Sequence, residues 1–159
     1  MRTKLGLVAA FTVLLTSSSA AEAGPGFRVG ITDDVDTIFG GVQWRVPFAR
    51  AGEGIFVVQP GGDFGLGLSD NVNFMFRGTA HFAYMFRVSP DVILYPLLGP
   101  SLLIVNFDRA NDDNDNDTGV GVDLGLGAQF RQFGLELWFG ISDDVPDITL
   151  SVSFNLDLG

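Results

Sequence analysis

Few side chains in this chain are able to do chemistry. His81 is the single imidazole among 159 residues, and there is no cysteine. The lack of cysteine excludes thiol catalysis, disulfides and zinc–thiolate sites. A nucleophilic serine needs a base beside it. His81 is followed by Phe82 and Ala83, and no spacing puts Ser101, Ser151 or Ser153 next to it. His81 therefore reads as an interior hydrogen-bonding residue, and one histidine alone makes a poor metal site. A second candidate is an oxygen-rich stretch over residues 108–119. Asp113, Asp115 and Asp117 alternate as at the start of an EF-hand loop. However, Gly119 falls one position late, and Leu124 stands where a bidentate Glu is required. That spacing allows loose Ca²⁺ binding, and no other cofactor is implied. The third set is Arg28, Arg45 and Arg77 with Asp63, Asp123 and Glu136, scattered singly through apolar sequence.

The elements that must position these residues are strands. Apolar residues recur at period two, the mark of half-buried strands. Ile148, Leu150, Val152, Phe154 and Leu156 alternate with Thr149, Ser151, Ser153 and Asn155. Phe133, Leu135, Leu137 and Phe139 oppose Gly134, Glu136, Trp138 and Gly140. Val120, Val122, Leu124 and Leu126 oppose Gly121, Asp123, Gly125 and Gly127. Phe74, Phe76, Ala80, Phe82 and Tyr84 oppose Asn73, Met75, Arg77, Thr79, His81 and Ala83. Ile38, Val42, Trp44, Val46 and Phe48 oppose Gly41, Gln43 and Arg45, and a short strand sets Phe27, Val29 and Ile31 against Arg28 and Gly30. Two more segments complete a count of eight. Residues 54–68 contain Pro60-Gly61-Gly62, read as a bulge or turn. Residues 92–107 are apolar on both parities and contain Pro96 and Pro100, read as one bent strand. The glycines alternate along strands and open no helix, so no phosphate-cradling loop is present.

The connections alternate in character. Segments 33–36, 69–71, 108–118 and 142–147 hold 12 acidic residues, whereas 49–53, 89–91 and 131–132 are short, with Arg50, Arg87 and Arg131 in or beside them. In an up-and-down sheet alternate connections fall at opposite ends. One end is then acidic with a long loop, and the other is compact with arginines. At the amino terminus Arg2 and Lys4, the apolar run 5–15 and Ala21-Glu22-Ala23 form a cleavable signal peptide over residues 1–23. The remaining domain, residues 24–159, keeps seven arginines, no lysine and 18 acidic residues. A net charge of −10 argues against a general nucleic-acid surface.

Eight strands in a meander close most simply into an all-β, antiparallel barrel, which removes the sheet edges. Arg28, Arg45, Asp63, Arg77, Asp123 and Glu136 all lie on the polar parity, as an interior charge network would. The polar parity is otherwise small: Gly, Ser, Thr and Gln. Such residues suit the narrow interior of an eight-stranded barrel, and the bulky apolar parity suits lipid outside.

The signal peptide, the eight alternating strands, the acidic loops at one end and the short turns at the other resemble the small bacterial outer-membrane β-barrels of the OmpA/OmpX-like superfamily. The resemblance implies a transmembrane barrel in the outer membrane, in contact with lipid and lipopolysaccharide, with a structural or surface-interaction role and no catalytic one. Two features depart from that pattern. Members commonly end in an aromatic residue, and here the chain ends Asp157-Leu158-Gly159. Trp and Tyr, two of each, are sparse for aromatic girdles, although Phe is abundant. Two other readings make different predictions. A soluble, lipocalin-like barrel would turn Trp44 towards an interior ligand, and a lipid-modifying enzyme would need a serine within reach of His81.

Overall fold

Alternation of bulky apolar with small or polar side chains gives an extended segment two unlike faces. Eight such segments follow one another in the computed structural model, which describes residues 24–33, 36–68, 72–107, 115–142, 146 and 148–156. They are β1 (Gly24–Thr32), β2 (Thr37–Ala51), β3 (Gly54–Gly67), β4 (Val72–Ser89), β5 (Val92–Phe107), β6 (Asp115–Phe130), β7 (Phe133–Gly140) and β8 (Ile148–Asn155). Each pairs antiparallel with the next, and β8 pairs back onto β1, with Val29 opposite Val152, to close the barrel.

The faces are inverted relative to a water-soluble core. Phe27, Val29, Ile31, Val42, Phe64, Leu126 and Val152 are among the exposed apolar residues of the outer wall, while Arg28, Gln43, Arg77, His81, Asp123 and Glu136 are buried. Phenylalanines supply most of the rings on the outside. Phe48, Phe56, Tyr84 and Phe86 pack in series towards the short-turn end, with Phe56 and Tyr84 centroids 4.9 Å apart. Phe64 and Phe74 stack at 6.0 Å towards the other end.

The strands differ from the sequence expectation in four places. β3 has neither bulge nor turn at Pro60: its ladder with β4 runs unshifted from Gly54–Phe86 to Leu66–Phe74. β5 is the single strand expected and differs only in that its ladder with β6 runs without interruption past both prolines, from Val92–Phe130 to Phe107–Asp115. Proline has no N–H to give a ladder, and the missing pairs fall on the β4 side, opposite Pro96 and Pro100. Gly99 permits the close approach there, since a Cβ would stand 2.1 Å from the Ala80 carbonyl oxygen. The third difference is that β6 starts at Asp115, so the long connection is shorter than residues 108–118. Residues 115–122 rise past the end of β7, and the Ile141 N–H donates to the Val122 carbonyl at 2.9 Å.

The fourth difference lies in the interior, which is not uniformly polar. Phe39, Val72, Met75, Leu103 and Val105 form one apolar cluster towards the long-loop end. Ala83, Tyr95, Leu97 and Trp138 form a second, deeper towards the short turns. β5 is apolar on both parities because its inner face contributes to both clusters.

Candidate functional site

The polar side chains between those clusters are the chemically equipped part of the molecule. Asp63 on β3 meets Arg28 from β1 in a two-pronged contact: Nε donates to Oδ1 at 2.6 Å and Nη2 to Oδ2 at 2.7 Å. This is the fork geometry that makes Arg–carboxylate pairs strong. Arg28 also donates to Thr79 Oγ1 at 3.1 Å and to Gln43 Oε1 at 3.4 Å. Arg77 stands opposite Asp63 in the β3–β4 register. It nevertheless reaches across the lumen to Asp123, Nη2 to Oδ1 at 2.7 Å, and donates through Nη1 to Thr149 at 2.8 Å. Asp123 has two further partners, His81 Nε2 at 2.9 Å and the Ser101 hydroxyl at 3.2 Å.

A tyrosine links the third set. Arg45 Nη2 donates to the Tyr95 hydroxyl at 3.0 Å, which donates to Glu136 Oε1 at 2.7 Å. Arg45 and Glu136 themselves are 3.8 Å apart. Arg45 also bonds the Gln129 side-chain oxygen. Gly127 makes room for this bridge, because a Cβ there would lie 2.2 Å from the Tyr95 ring. Trp138 ties the first two sets together. The guanidinium carbons of Arg28 and Arg77 lie 4.7 Å and 5.0 Å from its ring centroid, and the His81 ring meets it edge-on at 4.8 Å. Such cation–π contacts strengthen where water is excluded.

The structure thus brings Arg28 to Asp63, Arg77 to Asp123, and Arg45 towards Glu136. Two participants carried no clear signal in the sequence. Tyr95 lies in a strand with no polar parity to mark its inner face. Ser101 reaches Asp123 only through the β5–β6 register. Trp138 did carry a signal, since a bulky ring on the small, polar parity of β7 is out of place unless it fills an interior.

The arrangement of Ser101, Asp123 and His81 bears on catalysis. In a hydrolytic triad the imidazole lies between serine and acid so that it can take the serine proton. Here the carboxylate lies between the other two, and the serine donates to the acid. Of the acidic run, Asp113 lies outside the described residues. Asp115 and Asp117 belong to the β6 ladder, opposite Phe107 and Val105. Among the described residues no group of three or more His, Asp or Glu could hold a metal ion.

A closed eight-stranded antiparallel meander, apolar on the outside and carrying its paired charges within, is the architecture of a small transmembrane β-barrel. Among solved structures the chain is similar to Ail, the attachment invasion locus protein of Yersinia pestis, at 17% identity and a TM-score of 0.54, over 86% of this chain and 98% of that one. It is similar to the same protein in complex with the heparin analogue sucrose octasulfate at 17% identity and a TM-score of 0.56, with the same coverage. At that identity the likeness is one of fold. No protein-family model matches the chain, and no curated protein matches it.

Proposed function

We propose that this chain is a non-enzymatic protein of the bacterial outer membrane. Residues 1–23 direct export and are removed, the barrel spans the membrane, and the acidic end is displayed for interaction at the cell surface. The observation that carries the reading is the inversion of faces. Trp44 on the outer wall is 43% exposed, whereas Trp138 on the inner wall is 1% exposed. A soluble lipocalin-like barrel reverses that order and needs interior space for a ligand. Here Arg28, Arg77, Trp138 and Tyr95 occupy the middle of the lumen, which supports a barrel closed to solutes. The order Ser101–Asp123–His81 supports a non-catalytic role.

The long-loop end is where a surface partner would meet the barrel. The Ail complex contains a sulfated polyanion. The acidic loops of this chain favour the opposite chemistry: a cationic partner, or lipopolysaccharide phosphates bridged by divalent ions at Asp113, Asp115 and Asp117. Calorimetry on the folded protein tests the ion. Heat uptake at millimolar Ca²⁺ is expected, and its absence ends that part of the reading.

The membrane reading is tested with single-tryptophan variants in vesicles of brominated lipid. Trp138→Phe leaves Trp44, whose emission should be strongly quenched. Trp44→Phe leaves Trp138, whose emission should be nearly unaffected. Equal quenching of both, or recovery of the protein in the soluble periplasmic fraction, removes the proposal.

A further inference from the structure

The short-turn end of the barrel opens into a cavity of about 950 Å³ that no role so far described uses. Its volume is within the range of small-molecule sites. Four of the seven arginines outside the signal peptide line it: Arg45, Arg50, Arg87 and Arg131. They come from β2, β4 and the β6–β7 turn, so three separate parts of the barrel aim cations at one space.

Their engagement differs. Arg131 at the rim pairs with Asp91 at 3.0 Å. Arg50 and Arg87 have no ion-pair partner among the described residues. Arg45 forms the floor. It is 4% exposed, its two terminal nitrogens are held by Gln129 and Tyr95, and its Nε has no hydrogen-bond partner. That Nε is itself enclosed, so Arg45 contributes positive charge to the floor of the cavity and not a free donor. The acidic side chains on the lining, Glu53 and Asp91, are fewer than the arginines. Gly24 is also on the rim. Removal of residues 1–23 would therefore place a free α-amino group there.

The apolar lining narrows the ligand further. Ile55, Met85 and Ile93 face the same space, so an anionic group can sit on the arginines while a carbon skeleton lies against the wall. Guanidinium forks match the oxygens of phosphate in pairs, and the mature chain has no lysine to act as a point charge. We propose that this cavity binds the phosphate group of a small organic phosphate, with Arg45 as floor and Arg50 and Arg87 as clamps. The phosphate belongs either to a soluble metabolite or to a phospholipid headgroup at the adjacent membrane surface. The proposal does not depend on the role of the acidic end.

The test uses the full mature chain, folded in nanodiscs, and follows the arginine Nε–H signals by NMR. In discs of digalactosyldiacylglycerol, a lipid without phosphate, glycerol 3-phosphate is titrated in; in a second set, phosphatidylglycerol replaces a graded part of the lipid. Saturable shifts of Arg45, Arg50 and Arg87 in the first arm identify a soluble phosphate. The same shifts in the second arm alone identify a headgroup. Arg50→Gln and Arg87→Gln lie at exposed strand ends and should each weaken binding at least tenfold. Arg109→Gln, in the connection at the other end, should leave it unchanged. No saturable shift in either arm overturns the proposal. So does binding that survives Arg50→Gln with Arg87→Gln, or that falls equally with Arg109→Gln.

Discussion

Asp123 and Leu124 are neighbours in the chain and obey opposite rules. Asp123 is 0% exposed and holds Arg77, His81 and Ser101 in the lumen, while Leu124 is 49% exposed on the outer wall. One peptide unit separates a site where a charge is required from one where a charge is penalised. The inner wall sets each buried carboxylate against an arginine, and such pairs are expected to specify an arrangement more than they stabilise it. The outer wall needs only to be apolar, and any side chain of that kind serves. Substitutions should therefore be tolerated broadly outside and narrowly inside.

The largest effect should come from breaking an inner pair. Asp123→Ala leaves Arg77 with Thr149 as its one hydrogen-bond partner and His81 with no carboxylate. Removing one partner of a buried pair costs about 3–5 kcal/mol, read as loss of unfolding free energy by urea titration in lipid vesicles. Replacing both partners, Arg77→Met with Asp123→Leu, should restore more than half of that loss, because no uncompensated charge remains. If the double variant is less stable than Asp123→Ala, the inner pairs are stabilising in themselves and the contrast between the walls fails.

The next effect tests the outer wall. Leu124→Arg places a cation in the middle of the apolar band, where the penalty is about 2–4 kcal/mol in a bilayer. A barrel in water would show almost none. A loss below about 0.5 kcal/mol in the same vesicle assay would mean that Leu124 does not face lipid.

The contrast also explains what was legible in the sequence. Strand number, antiparallel order and the inward parity of Arg28, Arg45, Arg77, Asp123 and Glu136 follow from period-two alternation, a local property. Which arginine meets which acid is set by register and by reach across the lumen. Arg77 faces Asp63 across the β3–β4 ladder yet bonds Asp123 two strands away on β6. Alternation fails where the inner wall is itself apolar. Leu97, Leu103 and Val105 erase the period in β5, and Tyr95 is hidden with them. Pro60 misled for a related reason: a ladder can omit its bond to one neighbour and keep the other, which composition does not reveal.

The smallest effect belongs to the rim, where neither wall's rule applies. Arg131 is the first residue of the two-residue turn between Phe130 and Phe133, and its φ is +56°. Glycine is the usual occupant of that conformation, and a side chain there costs about 1 kcal/mol. The ion pair with Asp91 returns little, since the two side chains are 79% and 62% exposed and such pairs contribute roughly 0.2–1 kcal/mol. Arg131→Ala keeps the strain and loses the pair, so it should lower stability by about 0.5 kcal/mol. Arg131→Gly loses the pair and relieves the strain, so it should match or exceed the parent in the same urea titration. A loss above about 1 kcal/mol for the glycine variant would show that the exposed pair acts like one in the lumen. If the glycine variant is neutral, the arginine strains its turn without stabilising the barrel. Its contribution is then the charge it brings to the mouth of the cavity.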